Sequence, residues 1–311
     1  MRILVTGGAG FIGSNVADAF LADGHQVAVA DDLTTGLAEF VPAAARFEEV
    51  DVTSPAFPAF VRAFRPDVIC HHAAQINVRT SMEDPIRDAR INILGTIQVL
   101  QAAAAYGARR VLFASSGGAV YGDPPRARLP LDETFPVQPL SPYGVAKRAG
   151  ELYGLQFAMN GLVEFVALRY PNVFGPRQTP RSEAGVVSIF MENLISGRRC
   201  TIFGDGTKTR DYLFVGDVVE ANRLALRGPR NRVFNLGWGR QVTDLEMYRA
   251  CAAQFGSRQE PEFTDKRPGE VAYIALDAAR AREELGWTPR VRFEEGIRRA
   301  AEYYRASLAK P

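Results

Sequence analysis

The chain has 311 residues, 47% of them hydrophobic, enough for one large core or a domain with a smaller one attached. Its 37 basic and 35 acidic side chains are interspersed and leave a formal charge of +2, which argues against a nucleic-acid partner; any phosphate site must rest on particular positions. No apolar run reaches the eighteen or more residues of a spanning helix, so no membrane partner is expected.

The opening MRILVTGGAG enters a strand and turn at once and lacks the regions of a secretory signal, so a cytoplasmic protein is expected. RILVT, at 2 to 6, reads as a short apolar strand, and FIGSNVADAFLADG after it has a helical pattern. QVAVAD at 26 to 31 is a second strand and FEEV a third. TSPAFPAFVRAF suggests a short crossover helix, and DVIC at 67 to 70 is again a strand. INILGTIQVLQAAAAYG, from 91 to 107, predicts one helix, followed by the strand RRVLFASS. Residues 143 to 160 read as a helix on which Leu152, Leu155, Gln156 and Met159 recur on neighbouring turns, and VEFVALRY at 163 to 170 is strand-like. PNVFGPRQTPRSEAG is rich in breakers and predicts a ligand-facing loop. GVVSIFMENLISG is helical, CTIFG reads as a strand, and the last third mixes short strands and helices. This alternation predicts an α/β fold, a mostly parallel sheet with helices on both faces. Cys70, Cys200 and Cys251 suit neither a common zinc motif nor a disulfide framework and are expected to be buried thiols.

Gly7, Gly10 and Gly13 of TGGAGFIG lie between the first strand and the first helix. That context fits a dinucleotide: glycines permit close backbone approach, and a helix N-terminus meets the pyrophosphate. Phe11 and Ile12 would supply backbone contacts and packing. Asp31 ends the second strand, where its carboxylate can accept ribose hydroxyls but would repel a 2′-phosphate, favouring NAD over NADP. Asp32, Thr35 and Gly36 are candidate adenosine contacts. In the Asp51–Val52 pair, Asp51 either receives the adenine amino group or serves a local turn. His71 and His72 are strand neighbours facing opposite ways, and no third ligand accompanies them, so no metal is expected. Packing and supporting hydrogen bonds are their expected roles, while the backbone of Ala73, Ala74 and Gln75 approaches the cofactor. Asn92, a polar interruption in an apolar helix, either organises backbone near the site or sits on the surface. The glycine loop has no GK[ST] grip, which argues against ATP-driven chemistry.

In order along the chain, TGGAGFIG, HHAAQINV, SSGGAVYG, SPYGVAK, RYPNVFGPRQ, TRDYLFVGDV and KRPGE cover nearly its full length. Together they resemble the extended short-chain dehydrogenase/reductase family, especially its UDP-glucose 4-epimerases and related nucleotide-sugar epimerases. The resemblance implies an N-terminal Rossmann-type NAD-binding domain over 1–170, with returning segments at approximately 207–238. A smaller, interleaved nucleotide-sugar-binding domain would take most of 171–311. It also implies a homodimer through helices near 91–107 and 143–160.

The same resemblance makes Tyr143 and Lys147 the catalytic pair. Four residues apart on a helix, they share a face. Tyrosine normally keeps its proton, with a reference pKa of about 10, but a neighbouring ammonium and the positive nicotinamide of NAD+ favour the phenolate and make it a base. A serine of SSGGAVYG would hydrogen-bond the reacting hydroxyl; the register favours Ser116, with Ser115 as the alternative. The implied cycle is removal of the C4 proton by Tyr143, passage of the C4 hydride to tightly held NAD+, rotation of the 4-keto sugar and return of hydride to its opposite face, without net consumption of NAD+.

Tyr170 is implied as a cofactor contact. Asn172, Arg181, Val187, Ser188, Phe203, Arg210, Arg267, Glu270 and Ile274 are implied on the UDP-sugar, with Arg210 and Arg267 clamping the diphosphate. Ile274 stands near a position whose size limits the sugar pocket. Dehydratases of the family often carry acidic residues where this chain has Gly117 and Gly118, which disfavours 4,6-dehydration. Interconversion of UDP-glucose and UDP-galactose is the leading expectation. UDP-N-acetylhexosamine or UDP-uronate epimerisation, UDP-glucuronate decarboxylation, generic carbonyl reduction and a non-catalytic NAD- or nucleotide-sugar-responsive protein are the other readings.

Overall fold

A computed structural model describes residues 1–179, 185–266 and 271–308. Strands β1 (Arg2–Thr6) and β2 (Gln26–Asp31) are apolar and buried beyond their first residues, as parallel strands covered on both faces must be. Between them α1 (Phe11–Ala22) turns Phe11, Val16, Ala17 and Phe20 inward. Charged, exposed β3 (Arg46–Glu49) suits a sheet edge. In α2 (Ala56–Phe64), Phe57, Phe60, Val61 and Phe64 recur at helical spacing and bury one face. After β4 (Val68–His71) come two short helices, α3 (Val78–Glu83) and α4 (Pro85–Ala89). They are capped by the side chains of Asn77 and Asp84.

The single helix predicted over 91–107 is instead a π-turn at Arg90–Leu94 followed by α5 (Gly95–Tyr106). The wide turn falls on Asn92, whose side chain is engaged by the chain leaving β4. Strand β5 (Arg110–Ser116) leads into the single turn α6 (Gly117–Val120). Helix α7 (Pro142–Met159) begins with Pro142 in its first turn and a Ser141 cap on the Gly144 N–H. Leu152 and Met159, two of the residues that recur on neighbouring turns, are exposed on it. Strand β6 (Glu164–Tyr170) follows. The breaker-rich segment after it is not wholly irregular: β7 (Asn172–Phe174) pairs in parallel with a strand some forty positions on, which no local pattern announces.

The remaining elements are α8 (Val186–Ile195), β8 (Thr201–Phe203), β9 (Thr209–Arg210), β10 (Tyr212–Phe214), α9 (Val215–Ala225) and β11 (Arg232–Asn235). They are followed by β12 (Val242–Thr243), α10 (Asp244–Gln254), β13 (Glu262–Thr264), α11 (Ala279–Leu285) and α12 (Phe293–Leu308).

Seven parallel strands form the main sheet in the order β3-β2-β1-β4-β5-β6-β11. The chain moves outward from β1 to β3 and then crosses back to β4 on the other side of β1. The crevice beyond the carboxyl ends of β1 and β4 is therefore where such a sheet receives a ligand. One face of the sheet packs Val5, Phe20, Leu168 and Trp287, the other Leu4, Phe57, Phe113 and Phe165. A further core, with Phe174, Phe190, Tyr212, Met247 and Phe293, joins α8, α10 and α12. Phe11 belongs to this further core, so the N-terminus of α1 abuts it. Late in the chain, α9 packs against α1 and β11 extends the main sheet. Among the described residues no helix is long and apolar enough to cross a membrane.

Candidate active site

At the end of β1, Gly7 adopts φ +68°, where a side chain would stand 2.6 Å from the Ala73 nitrogen. A side chain on Gly13 would overlap the Gly7 carbonyl. The glycine loop thus packs backbone to backbone against the exit of β4. Gly10, the cap of α1, offers no side chain, and the first turn, which includes Phe11 and Ile12, holds no acidic residue. The positive end of the helix is left open to an anion. The Thr6 hydroxyl joins the two loops, 2.7 Å from His71 Nδ1 and accepting the Ala73 N–H at 3.3 Å. Burial, reinforced by the Lys147 charge, pushes His71 down to about 3 and His72 to about 4, so both rings are neutral supports at neutral pH.

Asp31 accepts the Ala9 N–H and the Leu33 N–H, each at 2.9 Å, and burial raises its pKa. It ties the glycine loop to the loop after β2, in which Asp32 accepts the Thr34 N–H, Thr35 is exposed and Gly36 is buried. Asp51 accepts the Thr53 N–H at 2.7 Å, the local turn role, and Val52 is buried beside Gly95. Asn92 is buried and grips Gln75 at both backbone groups, accepting its N–H at 2.9 Å and donating to its carbonyl at 2.8 Å. This clamp holds the segment 73–75, including Ala74, in place. The buried Asp88, which sequence reasoning missed, completes it by accepting from Asn92 Nδ2 and Gln75 Nε2.

Lys147 is buried on α7; its Nζ donates to the Ala114 carbonyl at 2.8 Å and lies 5.7 Å from the Tyr143 ring centre. The two serines part company. Ser115 turns inward and donates to Glu151 at 2.6 Å, whereas Ser116, half-buried, takes the opposite side of the strand. A side-chain carbon on Gly118 would stand 3.9 Å from Ser116 Oγ and 3.6 Å from Asn172 Oδ1. Both polar groups therefore flank the position that a side chain at 118 would take. The Tyr170 hydroxyl is held in the core, 3.2 Å from His72 Nε2 and 2.9 Å from the donating Asn222 amide.

Arg210, on β9, donates to the carbonyls of Thr209 and Ala272. Its neighbour Asp211 is fully buried, and the N–H groups of Trp238, Gly239 and Leu276 converge on its carboxylate. Burial still pushes it up to about 7. Phe203 is half-buried at the end of β8. Three of the residues expected on the UDP-sugar are buried. Val187 and Ser188 form the buried start of α8, where Ser188 donates to the Gly185 carbonyl, and Ile274 packs among Val120, Tyr121 and Leu276. Helical and strand periodicity alone hides this, because a pocket wall and a core face share one pattern. Arg181, Arg267 and Glu270 lie outside the described residues.

The model of the NAD-dependent epimerase/dehydratase family matches residues 3–237. The chain belongs to that family. Over 98% of its length it is 45% identical to a UDP-glucose 4-epimerase of Mycolicibacterium smegmatis, covering 99% of that protein. It is similar to the UDP-glucose 4-epimerase of Thermotoga maritima solved with UDP-glucose, at 42% identity and TM-score 0.97, covering 99% of this chain and 100% of that one. The Thermus thermophilus UDP-glucose 4-epimerase solved with NAD is also similar, at 41% identity and TM-score 0.94, with the same coverage.

The cradle fits the family's NAD: Gly7 and Gly13 admit no side chain, Gly10 caps an open helix N-terminus, and an acid ends β2. Besides Asp88 and Asp211, sequence reasoning passed over Glu151 and Arg169. The available signals were a glutamate four positions after Lys147 on one helix, and a lone arginine inside the apolar run VEFVALRY.

Proposed function

We propose that this chain is an NAD-dependent UDP-hexose 4-epimerase that interconverts UDP-glucose and UDP-galactose through a 4-keto sugar. One observation carries the reading. The ammonium of Lys147 is fixed beside the Tyr143 ring, while Ser116 and Asn172 present their side-chain oxygens on either side of Gly118. The similarity to UDP-glucose 4-epimerases over the whole chain supports the choice of reaction.

Bound NAD+ supplies a two-electron acceptor and donor for C4. Tyr143 takes the proton of the C4 hydroxyl and returns it to the epimerised centre. Lys147 stabilises negative charge on the tyrosine oxygen, and Ser116 hydrogen-bonds the reacting oxygen. Asn172 orients the hexose. Arg210 and Arg267 hold the diphosphate, with Arg181, Phe203 and Glu270 toward the nucleotide, so the sugar can turn while its anchor stays. Asp31 favours NAD over NADP because a 2′-phosphate would meet its charge.

In this reading residues 1–170, with 207–238 returning, form the NAD-binding part and most of 171–311 the sugar-nucleotide part. The protein would be a homodimer of the cytoplasm. The latter is supported by three buried free cysteines, Cys70, Cys200 and Cys251, a usage suited to a reducing compartment.

The test is to incubate purified protein with UDP-glucose and with UDP-galactose and separate the products. Each sugar should yield the other without net NADH. If NAD-loaded, folded protein forms neither partner, the substrate assignment is wrong. Running N-acetylated and uronic-acid sugars beside them identifies the alternative substrate.

A further inference from the structure

Behind the proposed catalytic groups lies an ion cluster built on the buried pair Glu151 and Arg169. Its centre is Glu151, on α7 one turn beyond Lys147 and wholly inaccessible to solvent. Oε1 accepts from the Ser115 hydroxyl at 2.6 Å and from Arg169 Nε at 2.7 Å. Oε2 accepts from Arg169 Nη2 at 2.7 Å and from Arg148 Nη1 at 2.9 Å. The carboxylate is therefore saturated by four donors, two of them in a planar fork, which leaves it one orientation. Arg169 continues the cluster by donating to the Tyr121 hydroxyl at 2.7 Å, and that hydroxyl lies 2.8 Å from Asn235 Oδ1.

The sequence neighbours of these residues make the cluster informative. Ser115 precedes Ser116, Arg169 precedes Tyr170 and stands three before Asn172, and Tyr121 follows the Gly117–Gly118 turn. Glu151 shares a helix with Tyr143 and Lys147. The four segments that carry Ser116, Asn172, the Gly117–Gly118 turn and the Tyr143–Lys147 pair are thus pinned to one another from behind. Holding Ser115 inward also turns Ser116 to the opposite side of β5. A buried ion pair is weak evidence for stability, since apolar residues of similar volume often serve at least as well. Its specific product here is a fixed register between strand ends and helix.

We propose that Glu151 is a positioning residue for the reaction, acting through Ser115 and Arg169 to hold Ser116 in register with the Tyr143–Lys147 helix. The inference rests on the 4-epimerase reading above. Burial by itself would raise the Glu151 carboxyl, but Arg169, Ser115 and Arg148 outweigh it and keep the group below its usual value, so the cluster is charged at neutral pH.

Two variants test it in full-length, NAD-loaded protein. Ser115→Ala removes one hydroxyl and leaves the Glu151–Arg169–Arg148 pairing intact; Glu151→Gln removes the central charge. Thermal melts, NAD content, and kcat and KM for UDP-glucose are measured together. The expected result is wild-type NAD content and a KM within about twofold, with kcat down about tenfold in Ser115→Ala and about 100-fold in Glu151→Gln, as for small displacements of reacting groups.

A folded Ser115→Ala protein with wild-type kcat overturns the proposal. So does a loss that appears only as lowered melting temperature, lowered NAD content or raised KM. Should Glu151→Gln fail to fold, Ser115→Ala decides alone. Wild-type protein that interconverts no UDP-sugar overturns the reaction reading itself, whereas an active wild type with an indifferent Ser115→Ala overturns only the positioning role.

Discussion

Lys147 is one of four lysines among 37 basic side chains, and its environment explains why arginine does not serve there. The site is narrow. The ammonium is buried, donates to the Ala114 carbonyl and lies 5.1 Å from the Phe113 ring and 5.7 Å from the Tyr143 ring. A compact point charge fits that space, where a planar guanidinium would need several acceptors in a fork. If the neighbouring tyrosine is the base, Tyr143→Phe should lower epimerisation by about 1000-fold while UDP binding, followed by calorimetry, stays near wild type. Undiminished turnover in that variant would remove Tyr143 from the mechanism.

A pH prediction concerns His72, whose ring stands between Tyr170 and Cys70. Burial first, and then the Lys147 charge, lower it from 6.5 to about 4. Below pH 6.5 the unfolded chain binds a proton that the folded one refuses until about 4, so this contribution to stability is complete above 6.5 and is lost as pH falls. In His72→Gln, which can still bond Tyr170, the titration disappears. The wild-type advantage in unfolding free energy should shrink by about 2 kcal/mol between pH 7 and pH 5 in urea titrations. A difference that does not change with pH would refute the assignment.

At the scale of elements, close approach governs the site. Helix α7 can bring Tyr143 and Lys147 to the sheet because its inner face carries Gly150 and Gly154. A methyl at Gly150 would stand 2.5 Å from the Phe113 ring, and one at Gly154 would overlap the Phe165 ring. Gly154→Ala should therefore destabilise by about 1–3 kcal/mol despite its better helix propensity, as urea denaturation would report; a stabilised variant would contradict the packing argument.

The same scale shows why some elements were legible and others were not. Helix α2 and strands β1, β2, β5 and β6 follow local periodicity, because each buries a face or a whole strand in one core. The π-turn at Asn92 and the β7–β10 pairing arise from partners distant in sequence, to which a local pattern is blind. At the site, the glycine loop and the Tyr143–Lys147 spacing were readable. The Glu151 cluster and the burial of Val187, Ser188 and Ile274 were not, since they depend on which neighbour arrives in three dimensions.

On the scale of the whole molecule, α7 has a second face to account for. While Lys147 and Glu151 point inward, Val145, Leu152, Tyr153 and Met159 of the same helix are exposed, joined by Leu94 at the π-turn and by Val78, Met82 and Ile86 on α3 and α4. Helix α5 directs Val99, Leu100 and Ala103 into the core, so the apolar surface belongs mainly to α7 and the short helices beside it. A group of apolar side chains exposed together marks an association surface more often than isolated exposed residues do. It includes one of the two helices, 143–160, through which the homodimer is proposed, while the other, near 91–107, contributes only Leu94. Full burial of a leucine is worth about 1.5–3 kcal/mol, and in a twofold dimer each substitution acts twice. Leu152→Glu should therefore weaken self-association by at least about 100-fold, and sedimentation at micromolar concentration should shift from dimer to monomer. If the unaltered protein already sediments as a monomer, or if Leu152→Glu remains dimeric, this face is not the interface and the role of its exposed side chains must be sought elsewhere.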